Sequence, residues 1–99
     1  MEIEEFKRTI ANGNLPAGLP PHVKALWHDA RGDWKTAHDL IDDLSDDSSA
    51  HVHAYLHRKE GDIWNADYWY KRAGNHRPGI SLDQEWENLL IQYLMRLEG

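Results

Sequence analysis

Five residues of this chain recur in order at a fixed distance: Ala25, His28, Gly32, Asp33 and Ala37 return as Ala54, His57, Gly61, Asp62 and Ala66, each 29 positions later. A repeat of this length is one supersecondary unit that cannot bury its apolar face alone, so neighbouring units must stack. The frame Ala-x-x-His-x-x-x-Gly-Asp-x-x-x-Ala has the chemistry of a helical hairpin. Glycine closes a helix in the left-handed conformation that side chains disfavour, and aspartate offers its carboxylate to the free amides that open the next helix. The alanines let the two helices approach closely. The repeat therefore predicts antiparallel helical hairpins that turn at Gly32-Asp33 and Gly61-Asp62.

Apolar spacing fills in the rest. Ile3, Phe6 and Ile10 give a short helix over residues 2–11, and the proline-rich link that follows leads to Pro21, well suited to a first helical position. Trp34, Ala37, Leu40, Ile41 and Leu44 form a stripe at three- and four-residue steps over residues 34–44. Residues 45–49 read as a polar acidic linker, and a helix follows over residues 50–60. Ala66, Trp69, Tyr70 and Ala73 mark the helix of residues 63–73. Ser81 is a cap for the last helix, with Gln84 three residues on and Trp86, Leu89, Leu90, Tyr93, Leu94 and Leu97 as its buried stripe. The expectation is an all-α single domain of about five helices. Residues 1–20 form an N-terminal capping helix and link, 21–45 the first hairpin, 48–78 the second, and 81–99 a C-terminal capping helix.

In the second repeat, Gly61-Asp62 leads to Ala66, then to Tyr70 four residues later, then to Ala73 and the closing Pro78. This order resembles the tetratricopeptide repeat family. The first repeat matches through Gly32-Asp33, Ala37, Ile41 and Leu44 but has no closing proline, and the 29-residue spacing is shorter than the family's period of about 34. The resemblance covers roughly residues 21 to 78 and implies a fragment of a right-handed α-α superhelix. It also implies a non-enzymatic protein-interaction module whose first helices line a groove for a peptide or protein partner. Carried onto this sequence, that groove presents His22, Leu26 and Asp29 from the first hairpin and His51, Tyr55, Arg58 and Lys59 from the second. Arg58 and Lys59 would clamp a carboxylate. Two hairpins make a short groove, which a homodimer would extend.

Composition removes other classes. Lysine and arginine number 11 against 17 acids, for a net charge of −6, and Asp39, Asp42, Asp43, Asp46 and Asp47 crowd together. A nucleic-acid partner, which needs a basic stripe, is not expected. No cysteine is present, the first ten residues do not read as a signal peptide, and no apolar run nears the ~20 residues of a membrane span, so a cytoplasmic, membrane-free protein is expected. The chain has no nucleophile elbow and no glycine-rich phosphate loop, and so no catalytic residue and no cofactor are assigned. The acids at 42–47 lack the pattern of a calcium loop and read as a solvated helix end. Trp69 and Tyr70 read as core, and Trp64 and Tyr68 as nearer the surface.

The seven histidines supply the competing reading. His53, His57 and Glu60 share one helical face by steps of four and three, and two histidines four apart can share a metal ion. A metal or small-molecule site at these three, with possible enzymatic use, is the alternative to the interaction module. Against it, His57 occupies the repeat position of His28, as a residue packed between helices would.

Overall fold

The structure, a computed structural model, describes residues 1–97. The described residues form six helices and no strand: α1 (Ile3–Asn12), α2 (Pro21–Ala30), α3 (Trp34–Ile41), α4 (Asp47–Glu60), α5 (Ile63–Arg72) and α6 (Leu82–Arg96). Six stand where about five were expected, one for each of the helical stretches that the apolar spacing and the caps mark out. The last two positions of the expected helix over 81–99 lie outside the described residues.

Both glycine-aspartate corners turn the chain. Gly32 and Gly61 take φ of 80° and 89°, where a side chain would strain the backbone. Asp33 then accepts a hydrogen bond from the Thr36 amide (3.2 Å) and Asp62 one from the Asn65 amide (3.3 Å), which caps α3 and α5. Ser81 caps α6 in the same way through the Gln84 amide (3.1 Å). The four alanines of the repeat frame, Ala25, Ala37, Ala54 and Ala66, are fully buried, as close helix approach requires.

Two boundaries differ from expectation by three residues. α4 starts at Asp47 rather than at residue 50, because Asp46 accepts from the Ser49 amide (3.1 Å) and draws the supposed linker into the helix. α3 ends at Ile41 rather than at residue 44, where the Leu44 amide bonds back to the Ile41 carbonyl and tightens the last turn.

The helices pair as α2 with α3 and α4 with α5, and α4 also packs against α2 and α3. The two hairpins therefore meet along α4. α6 lies across α2 and α4, and α1 rests on α6. Phe6, Val23, Leu26, Leu56, Leu90 and Leu94 belong to the main core between these elements, and Ala54, Ala66 and Tyr70 make a smaller one between α4 and α5. No described helix is long and apolar enough to cross a membrane.

Candidate functional site

α4 has two faces that carry candidate side chains, one toward α6 and one toward α3. The face toward α6 holds His51, Tyr55, Arg58 and Lys59 of the expected peptide groove, with His22, Leu26 and Asp29 supplied by α2, and α6 packs against both helices. Leu26 and Tyr55 are buried in the core, and the Trp86 indole donates to the Leu26 carbonyl (3.0 Å). Asp29, also buried, accepts from the Tyr55 hydroxyl and from Lys59 Nζ, both at 2.9 Å. Arg58 does clamp a carboxylate, but it is that of Glu85 on α6, at 2.8 Å, and Arg58 also bonds the Ile80 carbonyl. Glu85 accepts from the Tyr70 hydroxyl as well. His51 meets the Tyr93 hydroxyl (2.8 Å), and His22 stands edge-on to the Tyr93 ring at 5.1 Å. The structure thus brings the groove residues together as a packed seam. What stays open there is a cleft of about 400 Å³ at the start of α6, walled in part by Asp29, Lys59 and Trp86.

On the other face of α4, His53 and His57 meet His38 of α3. One ring nitrogen from each of the three imidazoles lies within 4.8 Å of the others. Nε2 of His38 and Nε2 of His53 are 3.1 Å apart, so one carries the proton that the other accepts. The rings are walled by indoles: Trp34 stacks on His38 (4.8 Å between centroids) and Trp69 on His53 (4.0 Å). Trp34 is itself held by a hydrogen bond from its indole nitrogen to the Leu56 carbonyl (2.8 Å).

Each imidazole is prepared differently. His53 is 2% exposed, and its Nδ1 is a buried polar atom with no hydrogen-bond partner. Leaving such a group unsatisfied costs about 1–3 kcal/mol. Burial, with the nearby His57 and His38, lowers the His53 pKa to about 4 against the opposing charge of Asp42. At neutral pH the ring is therefore uncharged, as a metal ligand must be. His57 bonds Glu60 Oε2 through Nδ1 (2.8 Å), which fixes the tautomer whose Nε2 lone pair is free. His38 is half-buried, and Asp42 Oδ1 lies 3.6 Å from its Nε2.

The trio anticipated from spacing, His53, His57 and Glu60, is therefore rearranged. Glu60 bonds the back of His57, and the third imidazole comes from His38, which sequence reasoning missed. His38 and Asp42 are four apart like His53 and His57, but that signal acquires meaning only when α3 and α4 are known to cross. Trp64 is 77% exposed and Tyr68 half-exposed, whereas Tyr70 is buried, in line with the sequence. No protein-family model matches the chain, and no curated protein and no solved structure matches it.

Proposed function

We propose that this protein is a helical-hairpin module that binds one divalent transition-metal ion where its two hairpins meet, through His38, His53 and His57. The observation that carries the reading is the convergence of three imidazole nitrogens within 4.8 Å around a buried ring with an unpartnered nitrogen. Nitrogens of a tetrahedral zinc site sit about 3.3 Å apart with metal bonds of about 2.0–2.1 Å, a distance that small ring rotations reach from here. Imidazole ligands suit zinc, cobalt, nickel and copper, whereas calcium and magnesium require oxygen. The reading assigns no catalytic residue.

Equilibrium dialysis of the metal-free protein against zinc tests it. One ion per chain should bind, and single His38→Ala, His53→Ala and His57→Ala changes should each remove that binding, while His76→Ala on the exposed 74–79 turn should not. A protein that takes up no zinc, or as much after these changes, would end the proposal.

A second reading, an interaction module of tetratricopeptide type, has its own support. Trp64 and Tyr68, four apart on α5, leave large aromatic surface exposed, and such surface on a small domain marks contact sites. The contact then lies on the outer face of α5 rather than in the groove that α6 fills. Sedimentation at rising concentration should show association that Trp64→Ala with Tyr68→Ala abolishes. A monomer at every concentration counts against self-association through this face.

A further inference from the structure

We infer that Asp42 is the fourth ligand of this centre, so that the site is closed and works as a staple between the hairpins rather than as a place where substrate reaches the metal. The inference rests on the metal reading above. The ligands then form two matched pairs: His38 and Asp42 on the α3 side, His53 and His57 on α4, each pair four residues apart. Asp42 keeps helical backbone angles (φ −56°, ψ −42°) although the regular helix stops at Ile41, so its side chain falls on the face of His38 one turn earlier.

The position of its oxygen supports this assignment. Oδ1 lies 3.6 Å from Nε2 of His38, the same nitrogen that faces Nε2 of His53 at 3.1 Å. The neighbouring carboxylates are committed elsewhere: Glu60 to Nδ1 of His57, and Asp39 to Lys35 Nζ at 2.9 Å. Asp42 is 61% exposed, which leaves its side chain free to swing inward by the distance a metal bond requires. Its negative charge also offsets part of the charge of a divalent ion that three neutral imidazoles leave uncompensated.

Four protein ligands characterise structural zinc centres, and three ligands with water characterise catalytic ones. With Asp42 included, both hairpins hold the ion from two positions each. Metal binding then fixes the end of α3 against α4 and ties the two repeats together.

The cobalt(II) form of the full-length protein decides the matter through its visible absorption. In the wild type, added azide should leave the spectrum unchanged because no position is open. In Asp42→Asn, cobalt should bind at least about tenfold more weakly, and azide should alter the spectrum. Asp43→Asn makes the same charge change one residue away and should keep its affinity within about twofold. A wild-type spectrum that responds to azide, or an Asp42→Asn protein that behaves like Asp43→Asn, overturns the fourth ligand while leaving the three-histidine site standing. No cobalt uptake by the wild type would instead remove the metal reading itself.

Discussion

The two faces of α4 treat their polar groups in opposite ways. Toward α6, each buried charge meets its opposite: Asp29 has Tyr55 and Lys59, and Glu85 has Arg58 and Tyr70. Toward α3, like groups meet: three imidazoles converge, and one buried nitrogen has no partner. A saturated seam has its bonding capacity used within the fold and joins helices. An unsaturated one retains capacity that a ligand can use. The difference explains why the cationic face that the sequence offers to a peptide is structural, while the histidines that it offers to the core are the better candidate site.

The strongest blow to the comparison would come from Glu85. Its side chain is 4% exposed and that of Arg58 16%, so Glu85→Ala should leave a largely buried guanidinium without its counter-charge and cost about 3–5 kcal/mol in a urea melt. A loss below about 1 kcal/mol would mean that the α6 seam is not held by this pair, and that α6 could leave the groove.

Acid strikes both faces at once, most strongly through one histidine on each. Burial and the charge of Arg96 lower His51, on the α6 side, to about 4, and His53, on the α3 side, also lies at about 4. Both pKa values are depressed from 6.5, so the folded state excludes protons that the unfolded chain takes up. Their stabilisation is complete above pH 6.5 and is lost as pH falls toward 4. For the metal-free protein we expect a fall on the order of 3 kcal/mol for each of the two rings across that window, read from urea midpoints. Stability that stays flat from pH 6.5 to 4 would show that neither ring is held neutral.

How much of this could be read from the chain depends on the distance over which each feature is decided. Asp33, Asp62 and Ser81 cap helices by bonding an amide three residues on, and a local pattern reports a local bond. The same holds for the turns at Gly32 and Gly61. The filling of the groove is decided by residues such as Trp86 and Leu26, 60 positions apart, and nothing in the α6 stripe says which helices it will cover. Glu85, in the first turn of α6, looks like an ordinary surface acid until Arg58 and Tyr70 are placed around it. Asp42 stands in a run of acids that reads as a solvated helix end, His38 lies one turn before it, and only the crossing of α3 over α4 sets them beside His53.

A matched pair of tryptophans sharpens the contrast at smaller magnitude. Trp86 bonds the Leu26 carbonyl across the α6 seam, and Trp34 bonds the Leu56 carbonyl across the α3 seam. Trp86→Phe and Trp34→Phe each remove one such bond and should each cost about 1 kcal/mol. Only Trp34→Phe should also weaken zinc binding, since Trp34 stacks on His38. If Trp86→Phe weakens zinc equally, the two seams are coupled and cannot be described apart.

The smallest effect on stability is expected where the imidazole is least satisfied. Replacing His53 by leucine keeps the volume nearly constant, removes a buried nitrogen that has no partner, gives up the hydrogen bond with His38, and exchanges the ring stacks on Trp69 and His57 for apolar packing. Removing an unsatisfied group offsets losing a neutral hydrogen bond, so metal-free His53→Leu should lie within about 1 kcal/mol of the wild type at pH 7. It should also lose a large share of the acid sensitivity, because one of the two histidines lowered to about 4 is gone. With zinc present the variants should part, since only the wild type gains stability from an ion that binds the folded chain and not the unfolded one. A metal-free His53→Leu protein destabilised as much as Glu85→Ala would show that the histidine cluster is core packing, and zinc would then have no preformed site to find.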